Sequence, residues 1–270
     1  MKICLLFHCL CESYEDIPAY GQDLFVSLPD LRSMIEELTD RGYRFASLED
    51  PGRDTVSITF DDGYYNNLLF EDIAQAYSIP YLVLLTSYYI QTGDPFPWLS
   101  ANGQSYEDYR IFDYYERYQE LRGNHDGEIP SDMVRPMTFA ELGTMSESDL
   151  VEIGCHGYYH QPLSRAFERY VKQERDLGMR CLEENLGITP RYYSLSNGMY
   201  TKGVMRELLQ SFERVLSIEG RPSRPSDRII HRITLSNPNI TSPLVQQIDR
   251  QLTPLRRLRR AVRTFNRMHW

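Results

Sequence analysis

Along the chain, short apolar and β-branched runs alternate with longer segments of helical period. The runs at 3–7, 56–60, 81–85, 151–155, 192–195, 215–218 and 229–235 read as buried strands. Between them, 28–41, 67–77, 141–148, 165–186 and 202–212 read as helices. Pro29 starts the first of these and Gly42 stops it, while Gly187 closes the fourth. Strands separated by helices predict a parallel sheet, either open or closed into a barrel. Residues 88–135 break the rhythm with Pro95, Pro97, Trp98 and a run of tyrosines (Tyr106, Tyr109, Tyr114, Tyr115, Tyr118). They read as an aromatic-rich insertion between two core units, either a lid over a site or a structural excursion closing one end of a barrel.

A length of 270 residues fits one large domain. Residues 1–250 are read as that domain, insertion included, and 251–270 as a basic C-terminal helix. This last segment holds six Arg and no acidic residue, with Leu255, Leu258, Val262 and Phe265 roughly on one face. Its two readings are packing against an acidic body and docking to an anionic membrane or a partner protein. The net charge of −9 argues against nucleic-acid binding, which needs a basic surface. The apolar opening stretch runs into Glu12, Glu15 and Asp16 instead of small residues, so it reads as a first strand and not as a secretion signal. No run is long enough to cross a bilayer. Five cysteines without framework spacing suit a reducing compartment, and a cytoplasmic location is expected. The 20 tyrosines are compatible with stacking on sugar rings and equally with ordinary packing.

Two motifs carry chemistry. Thr59-Phe60-Asp61-Asp62-Gly63-Tyr64 sets adjacent carboxylates at the end of an apolar strand, where α/β folds gather functional groups. Asp-Asp-Gly is also ordinary turn chemistry. His156-Gly157-Tyr158-Tyr159-His160 follows another apolar strand and spaces two imidazoles four apart. A chance pair of surface histidines has the same spacing. One carboxylate with two imidazoles leaves coordination positions open for water and substrate, the pattern of catalytic zinc and related divalent ions.

Asp61-Asp62 in Thr-Phe-Asp-Asp-Gly, followed by His156 and His160, resembles the polysaccharide deacetylase family with its NodB homology domain (carbohydrate esterase family 4). Met137-Thr138-Phe139 and Glu152 to His156 are similar to that family's approach to its histidine motif, and Leu5-Leu6-Phe7-His8 to its opening strand. The likeness covers most of residues 1–235, outside 88–135. It implies a distorted (β/α) barrel of about seven parallel strands. It implies Asp62, His156 and His160 as metal ligands, Asp61 as catalytic base, and a divalent ion, zinc foremost, with cobalt, manganese or nickel compatible. Arg191 falls where the family places an Arg that orients the base, although Ser196 stands where a Pro is expected. His231, in Ile229-Ile230-His231, matches the family's general acid or is simply a strand residue. The Tyr64 N–H is a candidate oxyanion donor, and His8 lines the site or packs in the core. The implied activity is removal of an N-acetyl or other N-acyl group from a sugar or saccharide, an intermediate of cell-surface polysaccharide biosynthesis. A deformylase or amidase of another small substrate, and a catalytically weakened carbohydrate-binding protein, are the alternatives. The basic tail would then hold a cytoplasmic enzyme near a membrane.

Overall fold

The computed structural model describes residues 1–18, 21–96, 98, 132–165 and 168–253. Strand β1 (Lys2–Phe7) is followed by β2 (Cys9–Cys11) and β3 (Phe25–Ser27), which pair with each other as a separate small sheet. Helix α1 (Leu28–Asp40) begins where Ser27 accepts a hydrogen bond from the Asp30 N–H, with Pro29 in its first turn. Next come β4 (Arg44–Phe45), β5 (Thr55–Phe60), α2 (Glu71–Tyr77), β6 (Tyr81–Leu85) and α3 (Ser87–Thr92). Helix α4 (Phe139–Met145) opens with a reciprocal cap: Thr138 accepts from the Glu141 N–H, and the Glu141 carboxylate accepts from the Thr138 N–H. The chain continues through β7 (Val151–Cys155), α5 (Val171–Leu186), β8 (Tyr192–Ser194), α6 (Lys202–Ser211), β9 (Arg214–Ser217), β10 (Ile229–Thr234) and α7 (Leu244–Leu252).

Seven parallel strands close into a barrel. They follow the order β1, β10, β9, β8, β7, β6, β5, and β5 pairs back onto β1 in register from Lys2↔Thr55 to Phe7↔Phe60. Short β4 adds to the lower half of β5. The alternating pattern predicts the parallel sheet, and the closed (β/α) barrel is the one the family resemblance implies. The strands read as continuous apolar runs because both faces are covered. Inward positions form an apolar plug of Cys4, Leu82, Leu84, Tyr192, Leu216 and Ile230, with Leu48 below. Outward positions, among them Leu5, Val83, Ile153 and Val215, pack against Leu31, Ile35, Leu142, Leu182 and Leu208 of the surrounding helices. Above the plug the interior turns polar, at Thr59, Asp61, Ser194 and Arg232.

Several elements differ from the expected pattern. The helix expected at 67–77 is an α-helix only from Glu71, and its first part is a 3₁₀ turn over Tyr65–Phe70. There Asn66 and Asn67 direct their amides to distant backbone: Asn66 Oδ1 accepts from the Leu10 N–H, and Asn67 donates to the His8 carbonyl at 2.7 Å. These tertiary bonds hold the tighter turn. Strands β2 to β4 are two or three residues long and α3 is six, too short to show a period. Helix α7 docks Leu244, Val245 and Ile248 into the core. Most of the expected insertion, and residues 254–270 of the basic helix expected over 251–270, lie outside the described residues, while Gln251 and Leu252 end α7. Among the described residues, no helix is long and apolar enough to cross a membrane.

Leu84 is fully buried in the plug, so Leu84→Ala is expected to lower unfolding free energy by about 2–5 kcal/mol, read by urea titration. A loss below about 1 kcal/mol would mean the interior is not packed as described.

Candidate active site

Parallel register brings the two motifs to the same rim. The Asp61 N–H donates to the Phe7 carbonyl at 3.0 Å, one step past the Phe7↔Phe60 pair, so His8 and Asp61 sit side by side above the plug. The His156 N–H likewise donates to the Leu85 carbonyl at 2.8 Å, one step past Leu85↔Cys155. Beyond these points the backbone bends sharply. Asp62 (φ 74°), Gly63 (φ 88°) and His160 (φ 64°) all lie in the left-handed region. A side chain at Gly63 would also meet Leu85 Cδ2 at 2.7 Å, so glycine is required there. Non-glycine residues held with positive φ store strain, and such strain gathers at functional sites.

Asp62, His156 and His160 converge. Asp62 Oδ1 lies 3.5 Å from His156 Nε2 and 3.6 Å from His160 Nε2. Two donors about 2.0–2.2 Å from one ion, at a near-tetrahedral angle, stand roughly 3.4 Å apart, so the spacing fits a shared cation. All three residues are buried, and Asp62 Oδ1 has no hydrogen-bond partner among the described residues. An orphaned anionic oxygen between two imidazoles is chemically costly unless a cation meets it. The His156 Nδ1–H donates to the Ser194 carbonyl at 3.0 Å, which leaves Nε2 as a lone pair facing Asp62. The three residues therefore form a fitting site for a divalent metal.

The neighbouring carboxylates have opposite electrostatics. Burial and then the charge of Asp61 push the Asp62 carboxyl far above the ordinary range. Burial also opposes ionisation of Asp61, but the Arg232 guanidinium overrides it and holds Asp61 well below that range. Arg232 grips Asp61 bidentately, with Nη1 to Oδ1 at 2.6 Å and Nη2 to Oδ2 at 2.7 Å. The Ser194 hydroxyl donates to Asp61 Oδ2 at 3.1 Å and accepts from Arg232. Burial lowers the His156 and His160 pKa values, which keeps both rings neutral and able to ligate.

Two expected residues fall elsewhere. Arg191 does not orient Asp61. It precedes β8 and so lies at the opposite, amino-terminal end of the strands, where it is 43% exposed and paired with Glu213 and Glu152. Arg232 occupies the orienting place instead. His231 is its neighbour on β10, and adjacent side chains on a strand point to opposite faces. With Arg232 inside the barrel, His231 faces outward, where its Nδ1 meets Glu219 Oε2 at 3.0 Å and Ser217 Oγ at 2.8 Å. It is not positioned to act as the acid at Asp61. His8 remains: its pKa is lowered to about 4, chiefly by burial, it senses Asp61, Arg232 and His156, and its Nδ1 has no hydrogen-bond partner. The Tyr64 N–H makes no hydrogen bond among the described residues, while its neighbours Gly63 and Tyr65 are tied to Met137 and Arg135. The Tyr64 hydroxyl accepts from Trp98 Nε1 at 2.7 Å, and the Trp98 ring lies over His160 with centroids 4.3 Å apart. Tyr88, Tyr89 and Phe96 complete this aromatic wall.

The sequence profile of the polysaccharide deacetylases matches residues 49–212, and the chain belongs to that family. Among solved structures it is similar to a de-N-acetylase from Aggregatibacter actinomycetemcomitans, with a TM-score of 0.67, 18% identity, and coverage of 92% of this chain and 99% of that one. It is also similar to IcaB from Ammonifex degensii (TM-score 0.60, 20% identity, 87% and 91% covered). A polysaccharide deacetylase from Bacillus cereus gives a TM-score of 0.62 at 15% identity, with 93% and 69% covered. At these identities the likeness concerns the fold. No curated protein sequence matches the chain.

The contrast between the two arginines is measurable. Arg232→Met leaves Asp61 buried without its counter-charge and is expected to cost about 3–5 kcal/mol in urea unfolding. Arg191→Met removes exposed pairs and is expected to cost no more than about 1 kcal/mol. Equal losses in the two variants would contradict the assignment.

Proposed function

We propose that this protein is a metal-dependent hydrolase that removes an N-acetyl group from a saccharide during assembly of a cell-surface polysaccharide. The observation that carries the reading is the convergence of Asp62, His156 and His160 beside a second carboxylate, Asp61, held ionised by Arg232. The Aggregatibacter protein is described as a de-N-acetylase, the same reaction.

Asp62, His156 and His160 would hold the divalent ion, and one carboxylate with two imidazoles suits zinc. Such an ion polarises the acyl oxygen and acidifies water. Asp61 then takes the proton of the attacking water. Its bond to Arg232 keeps both its oxygens aimed and its charge available. The Tyr64 N–H, on the rigid turn after Gly63, donates to the oxygen that gains charge as the carbonyl carbon becomes tetrahedral. His8, beside Asp61 and neutral at rest, accepts the proton that Asp61 takes from the water and passes it to the departing amine, which leaves poorly without one. Trp98 and Tyr64 shield His160 and Asp62 from bulk water, which strengthens each charge interaction inside the site. The departure from the family pattern at Arg191 and Ser196 does not remove the guanidinium the base requires, because Arg232 supplies it from β10. This favours turnover over mere saccharide binding. The cytoplasmic location expected from the cysteines and the opening strand, with membrane association through residues 251–270, belongs to the same proposal.

The test combines metal analysis with acetate release from N-acetylated saccharides. Wild-type protein is expected to retain roughly one divalent ion per chain. Asp62→Ala and His160→Ala should lose both metal and turnover. His8→Gln should keep the metal while kcat falls about 10²- to 10⁴-fold, and His231→Gln should stay near wild type. Full activity in Asp62→Ala would refute the metal assignment, and formate in place of acetate would redirect the substrate reading.

A further inference from the structure

One fully buried carboxylate takes no part in this chemistry. Glu174 lies on α5 with no exposed surface. Its Oε2 accepts from the N–H groups of Tyr158 (2.9 Å), Tyr159 (3.2 Å) and Gln161 (3.3 Å), and its Oε1 from that of Tyr159 (3.1 Å). Two amides between the histidines and a third just past His160 thus converge on a single side chain. Left-handed residues at Gly157 (φ 85°) and His160 (φ 64°) turn those amides inward, as in the concave anion sites that consecutive N–H groups build.

The fit is reciprocal. A Cβ added at Gly157 would run into the Glu174 carboxylate. One turn along α5, a Cβ at Gly178 would meet Cys155 Sγ at 2.7 Å and the Gly157 backbone at 3.3 Å. Gly157, Glu174 and Gly178 therefore seat the helix directly on the loop. The two histidines are aimed differently. His156 is fixed through its own ring by the Ser194 carbonyl, whereas His160 Nδ1 has no hydrogen-bond partner among the described residues. The Trp98 ring packs on the face of His160, and the left-handed His160 backbone, flanked by amides bonded to Glu174, fixes where the imidazole starts from.

We infer that Glu174 is a positioning residue that shapes the 156–160 loop for metal capture by clamping the amides that flank His160. The inference rests on the metal-hydrolase reading above. Losing the carboxylate frees the loop to leave its left-handed turns and swings His160 away from Asp62.

The test is Zn²⁺ affinity by calorimetric titration of metal-stripped full-length protein. Glu174→Gln keeps the side-chain shape but sets an amide N–H₂ against backbone donors, so it should weaken Zn²⁺ binding about 10- to 100-fold, as loss of supporting contacts around metal ligands does. Leu182→Ala, on the same helix and fully buried, should lower the melting temperature without changing Zn²⁺ affinity, which separates positioning from general loosening. In wild-type protein, which needs no variant to fold, the amides of Tyr158, Tyr159 and Gln161 should exchange slowly with solvent. Wild-type affinity in Glu174→Gln beside a loss in His160→Ala would overturn this inference alone, as would exchange of those amides at exposed-loop rates. Wild-type protein that takes up no Zn²⁺ would overturn the hydrolase reading and this inference with it.

Discussion

Parallel closure of the barrel is the constraint on which the site depends. Because β5 pairs onto β1 and every barrel neighbour runs the same way, all seven strands end on one rim. His8, Asp61, His156 and Ser194 come from four of those ends and Arg232 from a fifth strand, drawn from both halves of the sequence. No local turn could assemble such a set. The apolar plug below them matters as much as the register, because it excludes water from beneath the charged layer and fixes the height at which polar side chains begin.

Within that layer, adjacent residues are given opposite tasks by their surroundings. Asp61 faces a guanidinium and stays charged. Asp62 faces two neutral imidazoles and the negative charge next door, so its own charge is tolerable only beside a cation. A one-residue step, made possible by a left-handed turn, separates the carboxylate held ionised from the one that needs a cation.

The strands and the paired motifs were legible in the sequence because burial on both faces leaves continuous apolar runs, and because the motifs end two of them. The orienting arginine was not. Arg191 and Arg232 both adjoin apolar runs, and only strand direction and parity distinguish them: Arg191 precedes its strand and falls at the wrong pole, whereas Arg232 shares the inward parity of Ile230. The same parity turns His231 away. Glu174 was missed although a signal existed, since it occupies the inward stripe of α5 with Val171, Gly178, Cys181 and Leu182, where a charge has no place without a purpose. The short β2 to β4 and the 3₁₀ turn at Tyr65–Phe70 depend on tertiary bonds that no local pattern encodes.

The origin of the counter-charge in β10 has a consequence for biogenesis. β10 is the last barrel strand in chain order, so while the ribosome is still extending the polypeptide, the base has no guanidinium beside it. A nascent chain could gather the Asp62, His156 and His160 side chains with residue 160 emerged, yet Asp61 would remain unaimed until the final strand zips the cylinder shut. Closure of the cylinder and pairing of Asp61 with its counter-charge are then one event.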